Sequence, residues 1–160
     1  MDSRVQIQVA EFDVASIYQE VREESAGQAG AIVTFVGLVR DRNEIAGDGA
    51  AVDTLTLEHY PGMTERSIAV ILEQAQSRWP VPWIRVVHRV GELTPSEQIV
   101  LVMVGSAHRE AAFAAAEFIM DYLKTDAVLW KRERTGLGQT WLKSTAQDAV
   151  RAEKWRQPGS

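Results

Sequence analysis

Two lysines, Lys124 and Lys131, stand seven residues apart, each just after large apolar residues: Phe118-Ile119-Met120-Asp121-Tyr122-Leu123-Lys124-Thr125, then Leu129-Trp130-Lys131-Arg132-Glu133. Lysine normally sits in water. Held against apolar surface it tends to lose its proton, because burial disfavours the charged form. Such a lysine can serve as a nucleophile, a general base or a close-range anion holder. His108 and Arg109 form a second cationic group at the start of a predicted helix. Cations there oppose the helix dipole, a small cost that makes sense if an anion binds the free N–H groups. Arg40 follows an apolar strand and opens a polar stretch.

Some residues that look chemical are excluded by geometry. Glu58 and His59 are neighbours on a predicted strand, so their side chains point to opposite faces and form no dyad. His88-Arg89 has the same weakness. With no cysteine, the chain offers no disulfide, thiolate metal site or cysteine nucleophile, and it cannot carry sulfur as a persulfide. The three histidines show no metal-ligand spacing, so neither a metal nor a cofactor is expected.

The elements that must position these groups are legible in outline. Alternation marks strands over residues 5–9 and 52–58. Residues 30–39 read as a buried strand, and 83–90, 98–104, 127–133 and 140–142 as further strands. Asp13 is placed to cap a helix carrying Val14, Ile17, Tyr18 and Val21. Thr64 is expected to cap a helix with Ile68, Ile71, Leu72, Ala75 and Trp79 on one face, and Ser106 a helix over 107–124. Residues 40–50, with Gly47 and Gly49, read as a mobile loop, and 91–97 as a hairpin-type connection. The fold class is α+β: a mixed or antiparallel sheet packed by two main helices. The chain divides into a domain over 1–143 and a polar tail over 144–160, partly helical and frayed from 157.

Length and composition fit one globular domain: 160 residues, 46% hydrophobic and 24% charged. A net charge of -5 disfavours a nucleic-acid backbone as partner, which needs a basic face. The first residues lack the apolar core of a signal peptide and no apolar run spans a membrane, so a cytoplasmic protein is expected.

Several segments, in order, resemble the catalytic (large) subunit of molybdopterin synthase, the MoaE-type family. They are Phe35-Val36-Gly37-Leu38-Val39-Arg40 with Asn43; Leu57-Glu58-His59-Tyr60-Pro61-Gly62-Met63-Thr64; His88-Arg89-Val90-Gly91; Ala107-His108-Arg109 with Ala112-Phe113; and the two lysine segments. The resemblance covers roughly residues 5–142. It implies an α/β hammerhead fold and a sulfurtransferase of molybdenum cofactor biosynthesis. The expected substrate is cyclic pyranopterin monophosphate. The expected sulfur donor is the C-terminal Gly-Gly thiocarboxylate of a small ubiquitin-like carrier.

By resemblance, Lys124 is the principal catalytic lysine, which would hold the anionic tail, shuttle protons or stabilise developing charge. Lys131 is the second; an edge-strand lysine is its structural alternative. Leu38, Val39, Arg40, His108, Arg109, Arg132 and Glu133 are expected at the substrate, with Phe35 and Met120 lining the pocket. The family often has a basic residue where this chain has Leu38, so here an anion contact at that position falls to the backbone. His108 and Lys124 lie sixteen residues apart on one helix, ~24 Å, too far for one small pterin. The two groups would then come from different subunits of a homodimer, and with two carriers the assembly is a heterotetramer. Two rivals use the same residues: a pterin- or nucleotide-phosphate binding module, and a docking protein for a ubiquitin-like partner.

Overall fold

A computed structural model describes residues 2–42 and 51–156. The expected mobile loop falls largely on residues 43–50, including Asn43, Gly47 and Gly49, outside the described residues, as do 157–160.

One sheet was expected; the chain builds two. The first has the order β1-β4-β6-β2, from β1 (Val5–Gln8), β2 (Ala31–Leu38), β4 (Trp83–Arg89) and β6 (Gln98–Ser106). It is mixed: β1 runs parallel to β4, and the other pairings are antiparallel. The second has the order β5-β3-β7-β8, from β3 (Val52–His59), β5 (Gly91–Leu93), β7 (Leu129–Thr135) and β8 (Gly138–Leu142), and is antiparallel throughout. The connection expected over 91–97 explains the difference. β4 and β6 do pair, but Val90 and Gly91, at φ 91°, turn the chain out of the first sheet so that Gly91–Leu93 joins β3.

Both faces of the first sheet are covered. On one lies α1 (Val14–Ser25), whose Val21 is fully buried with Phe12, Val87, Leu101 and Met103. Asp13 caps it as expected, its carboxylate accepting from the Ala15 and Ser16 N–H groups. On the other face lie α2 (Met63–Arg78) and α3 (Arg109–Thr125), burying Ile68, Leu72, Ala112, Ala115, Phe118 and Ile119 against Val86, Val102 and Val104. β2, expected to be buried, is an edge strand: Phe35 is 40% and Leu38 52% exposed. A third apolar cluster, Val39, Leu55, Leu57, Val90 and Leu93, fills the seam between the sheets.

Two helix starts differ from expectation. The cap of α2 is Gly62, at φ 82°, whose N–H donates to the Glu65 carboxylate. Thr64 lies one residue inside the helix and serves longer-range contacts: its hydroxyl accepts from Tyr60 N–H and donates to the Val128 carbonyl (2.6 Å). The cap position of α3 is His108, without a side-chain cap. Ser106 ends β6 instead, its hydroxyl donating to the Pro80 carbonyl. Gly30 allows a tight approach there, since a Cβ would meet the Ala107 carbonyl oxygen at 2.2 Å.

The C-terminal segment forms α4 (Ala146–Glu153) and a 3-10 turn (Lys154–Arg156). Its composition is polar, yet it docks on the core. Trp155 is 7% exposed, packs edge-to-face on Phe118 and Trp79, and donates its indole N–H to Asp121 (2.7 Å). Among the described residues, no helix is long and apolar enough to cross a membrane.

Candidate active site

A pocket of about 180 Å³ opens at the seam where the C-terminal end of α3 meets the second sheet. Strand alternation selects its wall. Leu129, Lys131 and Glu133 share one face of β7, and Lys131 lies opposite Leu57 of β3 and Leu142 of β8. β7 is an interior strand, so the edge-strand explanation of Lys131 does not apply. Lys124 reaches the same pocket from the last turn of α3, and Leu38, Val39 and Arg40 from the end of β2. Six of the residues expected at the substrate or in catalysis are therefore brought together: Leu38, Val39, Arg40, Lys124, Lys131 and Glu133.

The electrostatics set the two lysines apart. Lys124 is exposed, whereas Lys131 is half-buried. Burial, then the charge and hydrogen-bonding contact of Lys124, push the Lys131 amine down to about 8 from 10.5; Asp148 and Glu133 pull the other way. Lys131 therefore changes protonation close to neutral pH, as a group that moves protons must. His88, 4% exposed on β4, is pushed down to about 4, chiefly by burial, with Lys131 and Lys124 adding to the effect. Its Nδ1 lies 2.8 Å from the Arg89 carbonyl, the geometry of a neutral imidazole donating from that nitrogen. The neighbouring Arg89 is structural: its guanidinium donates to the Val9 and Gln98 carbonyls.

Other expected site residues lie elsewhere in the protomer. Arg132 faces the opposite side of β7 from Lys131, stacked on Trp141 (5.3 Å) and 3.7 Å from Glu58. Alternation requires this, because Lys131 and Arg132 are consecutive on a strand. Phe35 and Met120 line a separate groove between β2 and α3. His108 and Arg109 are exposed at the far end of α3, in a shallow pocket with Gly30, Ala107 and Glu110. α3 runs unbroken between them and Lys124, so within one protomer the two cationic groups stand a helix length apart.

Sequence reasoning missed part of the wall. Arg42, Lys143, Thr145 and Asp148 line the pocket as well. The signal for Thr145 and Asp148 was present as a capping box, Thr-x-x-Asp, which the structure forms: Thr145 N–H donates to Asp148 (2.8 Å) and Asp148 N–H to the Thr145 hydroxyl (3.1 Å).

Comparisons with known proteins identify the family. The family model described as "MoaE protein" matches residues 7–126. The chain is 53% identical over 155 residues to the molybdopterin synthase catalytic subunit of Vibrio cholerae, covering 97% of this chain and 99% of that one. It is 48% identical over 144 residues to the protein of that name from Escherichia coli K12, covering 90% and 92%. Among solved structures, the molybdopterin biosynthesis MoaE protein of Burkholderia ambifaria superposes with a TM-score of 0.80 at 38% identity, covering 98% of this chain and 99% of that one. Two sheets meeting at a lysine-lined seam, a matched family model and near-full-length relatives lead to one assignment: the chain belongs to the MoaE family.

Proposed function

We propose that the chain is the catalytic subunit of a molybdopterin synthase, a sulfurtransferase that builds the dithiolene of molybdopterin on cyclic pyranopterin monophosphate. The observation that carries this reading is the paired lysines: one exposed and cationic in setting, one half-buried and titrating near 8, in one narrow pocket. A thiocarboxylate tail is a thin, anionic, extended ligand, and the pocket offers Lys124, Lys143, Arg40 and Arg42 to such a charge. A cysteine-free chain also requires its sulfur from outside. A small ubiquitin-like carrier with a C-terminal Gly-Gly thiocarboxylate is the proposed donor.

In this mechanism the thiocarboxylate sulfur attacks a carbon of the pterin side chain: the C–S bond forms as the C–O bond at that carbon breaks, and the departing oxygen leaves with the bonding electron pair and takes up a proton. The carrier is left linked through its acyl group as a thioester. Water hydrolyses that link, releasing the carrier as a carboxylate and leaving sulfur on the pterin. A second loaded carrier repeats the step, with opening of the cyclic phosphate. Lys124 stabilises negative charge at the reacting end, and Lys131 delivers and accepts protons. The protein's share is positioning in a partly dehydrated site.

His108 and Arg109 enter through symmetry. In the proposed homodimer, the far end of α3 from one subunit faces the lysine pocket of its partner and holds the phosphate. The helix length supports this arrangement, since one pterin does not span α3. Two carriers on such a dimer give a heterotetramer. The cytoplasm is the proposed location, where a soluble carrier and a small pterin meet this chain.

The test is turnover: purified chain, thiocarboxylated carrier and cyclic pyranopterin monophosphate, with dithiolene product followed by mass spectrometry beside Lys124→Ala. Product from the parent and none from the folded variant supports the enzyme. Binding of both reactants without product would overturn it in favour of a binding module.

A further inference from the structure

The pocket wall contributed by α4 carries a carboxylate, Asp148, among the cations Lys124, Lys131, Lys143, Arg40 and Arg42. Its position is built rather than accidental. The capping box with Thr145 fixes the carboxylate at the first turn of α4. Trp155, buried against Phe118 and Trp79 and bonded to Asp121, fastens the other end of the segment to α3. Both the carboxylate and Lys124 thus refer back to α3, one through Trp155 and one directly.

We propose that Asp148 is a positioning residue of the site: fixed by its cap, its carboxylate is the counter-charge that holds the Lys124 ammonium against the pocket wall and tempers the charge felt by Lys131. This deepens the function proposed above and rests on it. Burial alone would raise the Asp148 carboxyl, but the Thr145 N–H and hydroxyl, Lys124 and Arg151 outweigh it and keep it below the usual carboxylate range. Asp148 is therefore ionised at neutral pH.

The groups facing Lys131 are Lys124 from α3, Asp148 from α4, Glu133 on its own strand and His88 from β4, with Lys143, Arg40 and Arg42 around the rim. His88 is neutral at neutral pH, so among the described residues Asp148 and Glu133 are the carboxylates that offset the lysines from within the pocket. Asp148 also sets the strength of Lys124's hold on an incoming anion. The carrier's tail and Asp148 compete for the same ammonium, so the tail binds firmly yet is released after hydrolysis.

The experiment reads Lys131 directly, without carrier or pterin. The amine is labelled with acetic anhydride across pH 6 to 11 and quantified by peptide mass spectrometry in the parent, Asp148→Asn, Asp148→Glu and Glu153→Gln. Asparagine still accepts the Thr145 N–H, so the helix survives, which circular dichroism checks. Removing the negative charge lowers the Lys131 midpoint by about half a pH unit, roughly a threefold change in reactive fraction below it. Asp148→Glu restores the parent midpoint. Glu153→Gln, an exposed carboxylate on the same helix, leaves it unmoved. An unchanged midpoint in Asp148→Asn, or an equal shift in Glu153→Gln, overturns the proposal.

Thr145→Ala loosens the cap while keeping the charge, so it moves the midpoint in the same direction by less than Asp148→Asn; a shift in Thr145→Ala with none in Asp148→Asn would overturn the proposal in favour of a purely structural role. In turnover, Asp148→Asn lowers both KM for the carrier and kcat, through tighter tail binding and slower release. If labelling behaves as expected while the parent itself gives no product, the positioning role stands and the sulfurtransferase reading falls.

Discussion

Replacing Lys131 by methionine, which keeps the length and removes the charge, should make the protein more stable while destroying its activity. The Lys131 amine falls from 10.5 to about 8 on folding, chiefly through burial. A difference of that size corresponds to about 3 kcal/mol of work against keeping the ammonium in the folded site. The sign follows from proton binding. Between about 8 and 10.5 the unfolded chain holds the proton and the folded chain does not, so stability rises with pH across that window. Below about 8 both forms are protonated and the folded protein bears the full cost. That figure already includes the opposing pull of Asp148 and Glu133, and partial exposure of the amine to solvent screens it further. A net gain of about 2 kcal/mol at pH 7 is expected, or about 1 M in urea midpoint for an ordinary m-value. The gain should shrink as pH rises through 8 and vanish near 10.5. Equal midpoints at pH 7, or a gain independent of pH, would refute the view that Lys131 is held at an energetic cost for chemistry.

The same logic applies with a different window at His88. Its folded value of about 4 against 6.5 means that stability falls as pH drops from 6.5 through 4, by on the order of 3 kcal/mol. His88→Gln should flatten that acid limb, as measured by urea titrations at pH 7 and 4.5. Trp155→Ala should cost about 3–5 kcal/mol in chemical denaturation, as for other buried tryptophans, although it lies in a segment of polar composition. For the shared site of the proposed homodimer, equal mixing of refolded His108→Ala and Lys124→Ala chains should recover about a quarter of parental turnover. Half of the dimers are mixed, and each has one intact site. No recovery would place both groups in separate roles.

The sequence showed the strands and the lysine segments well, because alternation and apolar stripes are local signals. Asp13 was readable as a cap because its contacts are its own neighbours. Thr64 and Ser106 were misassigned for the opposite reason: both are cap-type residues whose hydroxyls serve distant carbonyls, at Val128 and Pro80. The split into two sheets was not legible, because it turns on Val90 and Gly91, where one short step changes partners. β2 reads as buried from its apolar run, yet it lies at an edge with Phe35 exposed. Lys131 and Arg132 were grouped by adjacency, although strand geometry separates them. Asp148 was hidden because its place in the pocket depends on α4 folding back onto α3, where Ala152, Lys154 and Trp155 hold the segment.

The connector between the two lysines has a consequence for how the gene can change length. Residues 126–128 carry the chain from α3 into β7, and α2 grips them: Thr64 donates to the Val128 carbonyl and Ser67 accepts its N–H. With both backbone polar groups of Val128 engaged, the connector has little slack to absorb an insertion. One added residue shifts the parity of β7, turning Lys131 to the outer face and presenting Trp130 to the pocket. At the other end of the same strand, the turn at Gly136 and Leu137 is exposed and can lengthen freely. Insertions and deletions should therefore be tolerated at the distal hairpin and purged at the helix–strand junction, so that a spacing of seven is inherited as one unit.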